Sequence, residues 1–154
     1  MTLSNTPGLI KKFGRTSWRF QTTFATPLKE LDSFVSTILA GDDRFEKGTV
    51  TIDGYVFDPK NLKHLLTAKS LSGELGRDWS ITADSPMEAH ELLKAALPDW
   101  VDFLFILMPK PFVIYADHDE YTTFYANTKS NLNRVSQPLL KNEFQQIPDF
   151  QREF

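Results

Sequence analysis

Residues 101–126 read VDFLFILMPKPFVIYADHDEYTTFYA, and this stretch decides the fold. It holds three runs rich in β-branched and aromatic residues, Val101 to Met108, Phe112 to Ala116 and Tyr121 to Ala126. Only Pro109-Lys110-Pro111 and Asp117-His118-Asp119-Glu120 separate them. A parallel crossover needs about a dozen residues, so neighbours joined this tightly run antiparallel. A C-terminal β-meander is the expectation.

Upstream, three segments pair a capping residue with proline at the first helical position, where the missing N–H costs nothing. They are Thr26-Pro27, Asp58-Pro59 and Ser85-Pro86. The first leads into Leu28, Leu31, Phe34, Val35, Ile38 and Leu39 at helical spacing, with Gly41 as a left-handed stop. The second carries Leu62, Leu65 and Leu66 on a narrower stripe. In the third, Ser85 and Glu88 form a capping box, and Leu92, Leu93, Ala96 and Leu97 line one face until Pro98. Strand signals alternate with these helices: Ser17 to Ala25, Thr49 to Phe57 with a kink at Gly54, and Trp79 to Ala83. Beyond the meander, a helix through Leu132 and Val135 is expected to break at Pro138.

The expected architecture is α+β. A single mixed, largely antiparallel sheet of about five or six strands ends in the meander, with helices packed mainly on one face. One domain spans 1–154, with residues 1–16 as a loosely ordered N-terminal arm and 138–154 as a docked C-terminal tail that seats Phe144, Ile147, Phe150 and Phe154.

With 41% apolar and 24% charged residues the chain has the composition of an ordinary globular protein, not a disordered one. It contains no Cys, which excludes disulfides and thiolate metal sites and suits a reducing compartment; the cytoplasm is the expected location. No apolar run reaches the roughly 18 to 20 residues of a membrane-spanning helix, and no membrane association is expected.

Charge is unevenly distributed. Residues 1–29 carry five Lys or Arg and no acid, so a total of −3 leaves −8 on the rest. The acid-free start also has the composition of a transit peptide. The alternation of Trp18, Phe20 and Phe24 with Arg19 and Gln21 reads instead as a half-buried strand. From Glu30 to Glu120 there are 17 acids against 8 Lys or Arg. Such a body repels phosphates, so nucleic acid is not an expected partner; it suits either plain solubility or a basic macromolecular partner.

Motifs for chemistry are sparse. His90-Glu91-Leu92-Leu93-Lys94 opens like a zinc-protease helix, but Lys94 stands where the second imidazole belongs. His64 and His90 are each alone on a helix. The glycines form no phosphate-cradling loop, and there is no G-x-S-x-G nucleophile elbow. No cofactor, metal or catalytic residue is therefore expected. The densest polar cluster is Asp117-His118-Asp119-Glu120 at the meander's second turn. It reads as a plain turn, as a partner contact together with Tyr121, or as an acid/base or metal site.

The hairpin from Pro111 to Ala126, the cysteine-free body and the acidic composition resemble small bacterial α+β immunity proteins of polymorphic-toxin and contact-dependent inhibition systems. That resemblance implies a non-enzymatic inhibitor that binds a toxin acting in the cytoplasm, often a basic nuclease domain, with Asp117, His118, Asp119, Glu120 and Tyr121 at the contact. Two other readings stay open. One is a small-molecule-binding protein or hydrolytic enzyme with a pocket between sheet and helices and His118 as acid/base. The other is a structural or assembly subunit.

Overall fold

The computed structural model describes residues 1–154. The meander forms as read: β5 (Val101–Met108), β6 (Val113–Ala116) and β7 (Tyr121–Ala126) are successive antiparallel neighbours. They belong to one seven-stranded sheet with β1 (Thr2–Asn5), β2 (Phe20–Ala25), β3 (Lys47–Tyr55) and β4 (Trp79–Ala83), in the order β1-β4-β3-β5-β6-β7-β2. Every pairing is antiparallel, so the sheet is not mixed, and it has more strands than the five or six expected. The additional strand is β1, which lies on an edge beside β4. Residues 1–16, expected as a loose arm, hold this strand and the helix α1 (Leu9–Arg15).

Alternation along the strands sorts side chains onto two faces. Val50, Ile52, Ile81, Phe103, Phe105, Ile114 and Phe124 point to one face, where four helices cover them. These are α2 (Leu31–Ala40), α3 (Lys60–Ala68), α4 (Pro86–Ala96) and α5 (Lys129–Lys141). They contribute Phe34, Val35, Ile38, Leu62, Leu92, Leu93, Val135 and Leu139, all essentially without solvent contact. On the opposite face α1 is the one helix that packs, beside Arg152 and Phe154 of the tail. Its Ile10 and Phe13 meet Leu104, Val113, Tyr115 and Tyr125 in a smaller cluster.

Several local expectations change. Ser85 caps α4 as read, its Oγ accepting from the Glu88 N–H at 3.1 Å. Thr26 does not cap α2: its hydroxyl pairs with that of Thr122, and the helix begins four residues after Pro27. Asp58 does not cap α3 either, because its carboxylate turns outward to Lys63. The cap comes from distant Asp99, which accepts from the N–H groups of Asn61 and Leu62 at 3.2 and 2.9 Å. Gly41 is right-handed, φ −69°, rather than a left-handed stop. An added Cβ there would lie 3.2 Å from the Arg134 carbonyl oxygen, so packing against α5 calls for glycine. The helix α5 runs on through Pro138. Trp18 also leaves the alternation: it precedes β2 and joins the α1 face, whereas Phe20 and Phe24 join the main core.

Candidate functional site

The register gathers one end of the sheet. Tyr55, the last residue of β3, faces Val101, the first of β5, and Ala116 at the end of β6 faces Thr122 near the start of β7. The segment after β3, the residue before β5 and the β6–β7 turn therefore meet there. All five residues singled out by sequence lie on or beside that turn.

They divide by role. Asp117 is engaged internally: one carboxylate oxygen accepts from the N–H groups of Asp119 and Tyr121 at 2.9 and 3.0 Å. The other accepts from Arg152 Nη2 at 2.6 Å. Both side chains of that ion pair are about nine-tenths buried, so the pair holds the C-terminal tail to the turn. Tyr121 is half-buried and packs edge-on against Phe150, ring centroids 4.8 Å apart. His118 Nδ1 lies 2.9 Å from Asp102 Oδ1, and its backbone N–H donates to the same oxygen at 2.8 Å. This hydrogen bond, more than the neighbouring negative charge, raises the His118 pKa above the ordinary histidine value. Asp119, with its side chain 74% exposed, and Glu120 are the acids that project.

Glu120 has φ +65°, the left-handed conformation where a hairpin turn of this length prefers glycine. Its Oε1 accepts from the Trp100 indole N–H at 3.2 Å. Trp100 is left-handed as well, φ +53°, which is a rare conformation for a bulky side chain and costs roughly 1–2 kcal/mol. The Trp100 ring meets Phe57 edge-on at 5.8 Å, and Phe57 is 62% exposed. Val56 and Tyr55, just before Phe57 in the chain, are exposed as well.

No family model, curated protein or solved structure matches the chain. The geometry of this end must therefore carry the functional argument.

Sequence reasoning missed Tyr55, Val56, Phe57 and Trp100. The signal was present: three consecutive apolar residues at a strand end cannot all point into one core, because alternation turns at least one outward. The acidic excess is also smaller in space than in sequence. Asp102 meets His118, Asp117 meets Arg152, Asp58 meets Lys63, and Asp53 meets Arg77 at 3.4 Å. His118 lines none of the five main grooves. No group of three or more His, Asp or Glu side chains is arranged to hold a metal ion, and no helix is long and apolar enough to cross a membrane.

Proposed function

We propose that the chain is a protein-binding domain of the kind the immunity-protein resemblance implies, and that it grips its partner with the Phe57–Trp100 pair. Asp119 and Glu120 form the charged rim for a basic surface. The carrying observation is that two residues which would be comfortable as glycine, Trp100 and Glu120, are instead a bulky indole and a charged acid bonded to each other. Backbone strain held at an exposed aromatic–acid pair supports a use at the surface. Exposed aromatics ringed by polar groups are the usual anchors of protein interfaces. The Asp102–His118 pair sits at an exposed turn and lines none of the five main grooves, an arrangement better suited to positioning the rim than to acid/base chemistry.

The test is to co-express the chain with the protein encoded beside its gene and to measure binding by calorimetry. Trp100→Ala and Phe57→Ala should each weaken binding by about 2 kcal/mol or more. Asp119→Lys should slow association and reduce its salt dependence. Glu120→Gly should weaken binding while raising stability by up to about 1 kcal/mol, because it relieves the left-handed backbone. A complex indifferent to all four substitutions rules out this surface.

A further inference from the structure

The second face of the sheet carries a groove beside α1 that the partner-binding reading does not use. It has a volume of about 380 Å³, within the range of small-ligand sites. Leu104, Ile106 and Val113 form its floor, and Phe13 and Trp18 form a wall. Lys12 and Lys110 stand at the mouth, both exposed. No carboxylate lines it, although the chain as a whole is acidic. The Trp18 indole N–H is buried and has no acceptor in the protein. A buried donor without a partner is unfavourable, and it marks this wall as the less completed part of the α1 face.

These features are independent of one another and converge on one ligand chemistry. From them we infer that the groove binds a small amphipathic carboxylate, its apolar body on Leu104, Ile106 and Val113 and its anionic head between Lys12 and Lys110. The apolar floor supplies burial, and the two ammonium groups supply charge complementarity at an edge where the head stays hydrated. The basic amino-terminal segment then has a local purpose: α1 brings Lys12 to the mouth of the groove and Phe13 to its wall.

Octanoate is the probe, with 1-octanol as its uncharged counterpart, followed by calorimetry and tryptophan emission. Octanoate should saturate a single site and shift the emission, and 1-octanol should bind about tenfold more weakly. The double variant Lys12→Glu/Lys110→Glu, altered only at exposed positions, should weaken octanoate about tenfold with an unchanged melting temperature. Ile106→Trp should block the floor and abolish binding. Trp18→Phe should remove most of the emission change while calorimetric binding persists. Failure of millimolar octanoate to saturate overturns the inference. Equal binding of octanol and octanoate, unaffected by the lysine reversals, also overturns it and marks the groove as a seat for an uncharged apolar group such as a partner's side chain.

Discussion

One sheet supports two unlike interiors. On the four-helix face the buried strand residues are almost all apolar, and the largest side chains, among them Phe24, Phe103, Phe105, Phe112 and Phe124, are completely covered. On the α1 face rings and aliphatic side chains share the strands with polar groups. Tyr115 donates its hydroxyl to Asp53, Arg152 lies 4.8 Å above the Tyr115 ring, and hydroxyls pair as Thr51 with Ser80 and Thr23 with Thr123. Burial, and for Tyr115 the hydrogen bond to Asp53 as well, pushes the phenol pKa values of Tyr115 and Tyr125 far upward, so both remain neutral. The difference shows how labour is divided across a sheet: one face supplies cohesion, and the other tolerates polar atoms, a groove and an ion pair that can be altered without dissolving the core.

The sharpest way to break this contrast is to make the same truncation on each face. Phe124→Ala removes a ring with no solvent contact that meets Phe24 and Phe112, and should cost about 3–5 kcal/mol in urea unfolding. Phe13→Ala removes a ring that touches Trp18, Tyr115, Tyr125 and Phe154, yet it borders an open groove that water can enter. Its cost should be about 2 kcal/mol, because the cavity is not sealed. Equal losses would mean that the two faces are one energetic unit.

Arg152→Ala addresses the polar side of the contrast and should cost about 2–3 kcal/mol. It strands the Asp117 carboxylate, and it removes the cation above Tyr115. The double variant Arg152→Ala/Asp117→Asn should recover part of that loss, since the neutral amide leaves no unpaired charge at the turn. A single variant as stable as the parent would show that the tail is not fastened there.

The covered face was the legible one. Apolar spacing located α2, with the Ser85 cap it located α4, and apolar runs with short connections located the meander, because a single uniform core imposes its pattern on every element that touches it. Where chain segments are matched by individual polar contacts, local patterns mislead. Asp99 caps α3 from 37 residues away, and Thr26 is drawn from its expected cap by Thr122 across the β2–β7 pair. The strand β1 is short and largely polar, and it exists because β4 offers an edge. At the candidate site the acidic turn was visible as composition, but its internal pairing was not. Arg152 lies 35 residues from Asp117, and nothing in the local spacing announces that one of the cluster's carboxylates is neutralised by the tail. Left-handed backbone at Trp100 was equally invisible, since no residue type there signals it.

The smallest effect separates the turn from both interiors. His118 is bonded to Asp102 with its side chain 40% exposed, and its folded pKa lies above the unfolded value of 6.5. A group of this sign contributes stability that is fully present below pH 6.5 and is lost as pH rises through the elevated folded value. Unfolding free energy should therefore decline between pH 6 and pH 8 by more in the parent than in His118→Gln, which keeps the size but cannot titrate. The cause is a partly exposed ion pair, so the difference should shrink when salt is raised. If it persists undiminished at high salt, the Asp102–His118 pair is shielded from solvent and the turn belongs with the polar interior of the α1 face. If the two proteins show the same pH dependence, the hydrogen bond at 2.9 Å adds nothing to the fold.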